Sequence, residues 1–202
     1  MRKVAVLGIV FLLVVSITGC GGNTGKENTA AMGPEMEAYR SYLEERDQVE
    51  DLYFSCIPVS EEGVEVLALT YGKNAVKKEK NSITTSHLVL KTYSEGKVLD
   101  VEGSNMDSFS NTAAFLAGDG KMWVPVYGGI GVYTVKGTML TGNVYTKEME
   151  TYTTYSVNGK KRSEPEAIDA GTVEKIVETG DSTAKPILFY KNTKGNREKY
   201  LK

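Results

Sequence analysis

Two kinds of spacing divide this chain. Over residues 34–50, Met36, Tyr39 and Leu43 recur at i, i+3 and i+7, Tyr42 widens the stripe, and Glu44, Glu45, Arg46 and Asp47 are left for water. That spacing gives a helix one apolar face. Pro34 suits its first turn, where a missing N–H is not needed. From residue 52 to 157 the pattern shifts to short β-branched and aromatic runs broken by glycine turns, which reads as strands. The runs are 52–58, 64–71, 87–94, 97–101, 112–117, 122–127, 131–135, 139–145 and 149–157. In the last, Met149, Thr151, Thr153, Tyr155 and Val157 face one way, and Glu150, Tyr152, Thr154 and Ser156 the other, because strand side chains alternate.

Ser94-Glu95-Gly96, Gly118-Asp119-Gly120, Lys136-Gly137 and Asn158-Gly159 each offer a residue that tolerates the positive φ of a tight hairpin. Links this short force neighbouring strands to run antiparallel. Residues 72–86 are polar and lysine-rich and read as an exposed loop. Ser163-Glu164-Pro165-Glu166 has the form of a capping box opening a second helix over 163–179. Ile168, Val173, Ile176 and Val177 would be its buried side and Gly180 its stop. A closing strand is expected over 186–190, and the basic tail 191–202 is expected to fray. The fold class that follows is α+β: an antiparallel β-meander sheet flanked by an N-terminal and a C-terminal helix, in one domain over 34–190.

The start of the chain has another character. Arg2 and Lys3 precede an apolar run, residues 4–15. That is the layout of a secretory signal peptide, and it is short of the roughly 20 residues that a spanning helix needs. Ile17-Thr18-Gly19-Cys20 closes it and resembles a bacterial lipobox, with Ile where Leu is usual. The resemblance implies cleavage after residue 19 and lipid on the Cys20 thiol. Two acyl chains anchor a protein stably where one does so only marginally. Residues 20–33 are small, polar and glycine-rich, the composition of a flexible tether. The chain is therefore expected on a cell membrane, on its extracytoplasmic face.

Charge and cysteines narrow the picture further. Without residues 1–19 the chain keeps 22 of its 24 basic side chains and all 26 acids, a net of −4. This balance excludes a general nucleic-acid binder, which would carry a basic face. Of two cysteines, Cys20 is committed to lipid, so Cys56 has no partner for an internal disulfide. Cys56 lies in the apolar run 52–57 and reads as a small hydrophobe.

Catalytic signals are sparse. His87 is the only histidine and begins a strand, a structural or surface position. Neither a nucleophile elbow, a P-loop nor a zinc-ligand spacing is present. No cofactor is implied. Asp100, Glu102, Asp107 and Asp119 could supply an acid pair, although most of them sit where turns favour such residues. Ser60-Glu61-Glu62-Gly63-Val64-Glu65 reads as a turn, because its adjacent glutamates point apart and do not match a calcium loop.

The candidate ligand-binding residues are Trp123, Tyr127 and Tyr133. Trp123, Pro125 and Tyr127 would share one strand face. That face reads as a core layer under one of the helices, or as an aromatic platform for a sugar or peptide. Pro125 suggests an edge strand and keeps the second reading open.

Tyr155-Ser156-Val157-Asn158-Gly159-Lys160, followed by Ser163-Glu164-Pro165-Glu166, gives a family likeness. The plan resembles small lipid-anchored lipoproteins of Gram-positive, often gut-dwelling bacteria, over roughly 34–180. Many of those carry D-x-D-G-D-G-x-x-E in the first hairpin; here residues 60–65 hold no aspartate. The resemblance implies no particular activity. The expectation is a membrane-anchored, non-catalytic binding or envelope protein with a glycan, peptide or envelope-protein partner. The alternatives are a small acid-dependent hydrolase and an accessory subunit of a transport or secretion system.

Overall fold

A computed structural model describes residues 32–202. The leader, Cys20 and the tether before residue 32 lie outside the described residues. Helix α1 is Pro34–Glu44. The strands that follow are β1 (Leu52–Ile57), β2 (Val66–Tyr71), β3 (Ala75–Lys78), β4 (Ile83–Thr85), β5 (His87–Ser94), β6 (Lys97–Asp100) and β7 (Met106–Asp107). After them come β8 (Leu116–Gly118), β9 (Lys121–Val126), β10 (Gly129–Lys136), β11 (Met139–Glu148), β12 (Thr151–Asn158), β13 (Lys161–Arg162) and β14 (Glu166–Ala167). The chain ends with α2 (Ala170–Thr183), β15 (Lys185–Pro186), β16 (Tyr190–Lys191) and α3 (Lys194–Tyr200).

The fold is α+β with antiparallel strands, as the patterning predicts. The strands form two main sheets rather than one. The six-stranded sheet runs β16-β1-β2-β5-β6 with β7 on β5; the eight-stranded sheet runs β13-β12-β11-β10-β9-β8-β15 with β14 on β12. The turns fall where glycine allows them: Glu95 and Gly96, then Asp119 and Gly120, take positive φ at consecutive positions.

Alternation explains the two layers. Ile57, Val66, Ala68, Leu88 and Leu90 from the first sheet pack with Met122, Val124, Tyr133, Val135 and Val144 from the second. The opposite face of the first sheet presents Leu52, Phe54, Leu67 and Leu69 to Met36, Tyr39 and Leu43 of α1 and to Leu201. Cys56 packs at the margin of this second cluster. Burial pushes its thiol up, and the Glu65 carboxylate adds to the shift, so the group stays a protonated hydrophobe.

Several boundaries differ from expectation. Helix α1 stops at Glu44 rather than near residue 50. Asn192 Nδ2 donates to the Leu43 carbonyl at 2.9 Å, and Arg46 Nη1 donates to the Tyr42 carbonyl at 2.8 Å, satisfying the helix end. The tail expected to fray is instead anchored. Thr193 caps α3 by accepting from the Asn196 N–H, Leu201 is fully buried, and the Tyr190 and Tyr200 rings stack at 3.5 Å. Arg197 is buried and donates to Asp47 and to Asn192 Oδ1. The loop expected over 72–86 contains the β3–β4 hairpin and buries Ile83 and Thr85; its lysines stay outside.

The second helix starts later than the capping-box motif suggests. Ser163 Oγ accepts from the Ser156 N–H of β12 at 2.9 Å, and Glu166–Ala167 pairs with β12. The N-cap is Asp169, whose carboxylate accepts from the Thr172 N–H at 3.0 Å. Gly180 does not stop the helix, which continues to Thr183. The turn at residues 60–65 serves the fold: Glu62 accepts from Ser60 Oγ at 2.8 Å and from the Gly137 N–H at 2.9 Å. These bonds, the Ser60 hydroxyl's foremost, hold its carboxyl below the usual range.

Candidate functional site

Pairing across the eight-stranded sheet sorts its side chains into two faces. Met122 pairs with Tyr133 and Val124 with Gly131, and these face the core. Trp123 pairs with Val132, Val132 with Asn143, and Asn143 with Ser156. That second row lies on the outer face. Beside it runs another outer row, in which Pro125 pairs with Ile130, Ile130 with Tyr145, and Tyr145 with Thr154.

Helix α2 crosses this outer face. It is tied at one end by β14 to β12 and at the other by β15 to β8, near opposite edges of the sheet. Strands about 4.8 Å apart put β12 and β8 roughly 19 Å from each other. Fourteen helical residues span about 21 Å, so the helix length matches the crossing. Gly180 rests on the Trp123 indole so closely that a Cβ there would lie 2.7 Å from the ring. Near its C-terminal end, a Cβ at Gly118 would lie 2.6 Å from the Thr183 carbonyl oxygen.

Part of the outer face remains open. A groove of ≈ 390 Å³ is lined by Val132, Thr134, Thr141, Asn143, Tyr145 and Ser156, with Lys121 and Glu61 also on its wall. Asn143 and Ser156 are exposed, and Tyr145 is half-buried. Burial pushes the Tyr145 phenol up, while a hydrogen bond with Asn143 pulls the other way. Two buried polar atoms of this face, Trp123 Nε1 and Thr154 Oγ1, make no hydrogen bond to any described residue. Leaving such a group unpaired costs about 1–3 kcal/mol. Both atoms belong to the covered part of the face, and neither residue lines the groove.

The structure separates the three residues singled out from the sequence. Trp123 is buried under α2 on the outer face. Tyr133 is buried on the core face, borders the groove, and has its phenol pushed up to about 12, by burial first and by Tyr155 second. Tyr127 is 81 % exposed. It cannot share a strand face with Trp123, because β9 ends at Val126 and Tyr127-Gly128 form the turn into β10. Pro125 is not on an edge strand. It lies past the end of β8, where its carbonyl accepts from the Phe109 N–H at 2.6 Å.

Sequence reasoning missed Asn143 and Tyr145, which share one face of β11 by alternation and meet Val132, Ser156 and Thr154 only through strand pairing. It also missed Phe109, whose ring lies 5.5 Å from that of Tyr127 in a tilted, exposed pair. The acids considered for catalysis are dispersed or already engaged. Asp107 Oδ1 bonds His87 Nδ1 at 2.9 Å, Asp100 pairs with Lys91, and Asp119 sits in the β8–β9 turn. Among the described residues, no three His, Cys, Asp or Glu side chains converge closely enough to share an ion.

No protein-family model, curated protein or solved structure matches this chain.

Proposed function

We propose that the chain is an extracytoplasmic lipoprotein, held on a membrane through lipid on Cys20, and that it acts by binding rather than turnover. The leader supports the address: a charged start, a short apolar run and a thiol at residue 20. The ligand is a glycan or an extended peptide, taken up on the outer face of the eight-stranded sheet.

The observation that carries the binding reading is the groove beside α2. Thr134, Thr141, Asn143 and Ser156 line it with hydroxyls and an amide around the Tyr145 ring. Thr134 and Thr141 already donate their hydroxyl protons to the Val59 and Thr134 carbonyls and are left to accept, while Asn143 and Ser156 can donate and accept, which suits a neutral ligand rich in hydroxyls or amides. An aromatic ring with a polar tip contributes apolar contact area and a hydrogen bond together. The exposed Phe109–Tyr127 pair offers a further stacking surface.

The test is a titration of the full chain in detergent against glycan and peptide arrays. A ligand whose affinity falls at least tenfold in Tyr145→Ala and Asn143→Ala supports the reading. Silence across both arrays, or binding indifferent to both substitutions, contradicts it. The address is tested separately by acyl labelling, which Cys20→Ala is expected to abolish.

A further inference from the structure

A second cavity lies on the other side of the molecule, on the outer face of the six-stranded sheet at the end of α1. Its volume is ≈ 260 Å³. Leu52, Leu69 and Val89 give it apolar sides, and Tyr42, Arg46, Val49, Thr70, Tyr71, His87 and Lys91 complete the lining.

Three of those residues are cationic or can become so, and each has an acid partner. The pairs divide between inside and outside. The side chains of Lys91, His87 and Arg46 are 15 %, 27 % and 35 % exposed, whereas their partners Asp100, Asp107 and Glu45 are 79 %, 83 % and 75 % exposed. The acids stand in solvent and the nitrogen groups belong to the cavity. Tyr42 holds two of the cations: the Arg46 guanidinium carbon lies 3.5 Å from its ring centroid and Lys91 Nζ lies 5.6 Å away. Burial alone would lower the Lys91 ammonium, but its bonds to Asp100 and Tyr42 outweigh that and hold it above the usual range, so it stays charged. Bonding to Asp107 places a proton on His87 Nδ1 and fixes the ring.

We infer that this cavity binds a small organic anion, a carboxylate carried on an apolar body. The apolar sides take the body; Lys91 and Arg46 take the carboxylate, Arg through its planar fork. The exposed acids now paired with those cations are screened by water, and pairs of that kind are weak. An incoming carboxylate can therefore replace them. The volume is below that of a site for drug-sized ligands, so the ligand is small. This site stands on a different sheet from the groove described above and does not depend on it.

The experiment titrates 3-phenylpropionate and its neutral counterpart, 3-phenylpropan-1-ol, into the full chain in detergent, followed by calorimetry and by amide shifts of residues 87–91. The acid is expected to bind at least tenfold more tightly than the alcohol. Lys91→Met is expected to cost at least tenfold in affinity for the acid. Asp100→Asn is expected to tighten the acid several-fold, because it frees the ammonium; it alters an exposed side chain and leaves the apolar sides intact. A merely structural Lys91–Asp100 pair would not give that gain. Equal binding of acid and alcohol, no binding of either, shifts confined to another region, or an Asp100→Asn variant that binds no better would each overturn the proposal.

Discussion

The outer faces of the two sheets are closed in different ways. On the six-stranded sheet, α1 and the segment after α3 complete a cluster of eight buried apolar residues that includes Tyr39, Leu43, Phe54 and Leu201. On the eight-stranded sheet, α2 contributes only Val173 and Gly180 as buried residues, and a glycine packed on an indole replaces interdigitated side chains. Apolar burial contributes about 25 cal/mol per Å², so the first cover holds by area. The second holds by its short end tethers and one close contact. A face closed by area serves stability over most of its extent and leaves open only the cavity of ≈ 260 Å³ at the end of α1. A thinly closed face, with an open groove beside it, is free to serve binding.

The largest predicted effect lies on the strongly closed side. Leu43→Ala removes a fully buried side chain and is expected to cost about 2–5 kcal/mol, read as a drop in the urea midpoint. Next is Arg197→Ala. It leaves Asp47 without its buried partner and frees the end of α3. Asp47 is half-exposed and can rehydrate, so the expected cost is about 1.5–3 kcal/mol, with residues 190–202 becoming protease-sensitive.

On the thinly closed side the effects are local. Gly180→Leu forces a side chain into the Trp123 ring. Overpacking of this kind costs roughly 1–3 kcal/mol, and lifting α2 relieves it. The expected readout is a red shift in emission from Trp123, the only tryptophan, with little change in the global midpoint. An unshifted spectrum would mean that α2 does not cover the indole. Val173→Ala is expected to cost about 1.5 kcal/mol, below Leu43→Ala; equal costs would erase the contrast between the faces.

The smallest effect appears only in alkali. Burial keeps the Tyr133 phenol neutral up to about 12, whereas an unfolded tyrosine ionises near 10. The unfolded state therefore loses this proton first as pH rises. Its contribution to stability is complete below about pH 10 and lost between about 10 and 12. Thermal melts across that range should fall less steeply in Tyr133→Phe than in the parent.

The sequence carries much of this contrast, but unevenly. The stripe of Met36, Tyr39 and Leu43 identifies α1 because its apolar positions keep helical period. The hairpins are legible at Gly96, Gly120, Gly137 and Gly159 because tight turns need positive φ. The division into two sheets is not, since alternation shows that a strand has two faces and not what each one meets. The α2 start misleads because Ser163 finds its hydrogen-bond partner in β12 rather than in its own helix. The tail misleads because its burial depends on Arg197 meeting Asp47, 150 residues away. Trp123 and Tyr127 could be told apart only by knowing that β9 ends between them.

Native-state hydrogen exchange tests the contrast most directly. Amides of α2, residues 170–183, are expected to exchange through local openings several kcal/mol below the global unfolding free energy. Amides of α1, residues 34–44, should exchange near the global value away from the frayed ends. Equal protection of the two helices would contradict the claim that the eight-stranded sheet keeps its outer face accessible.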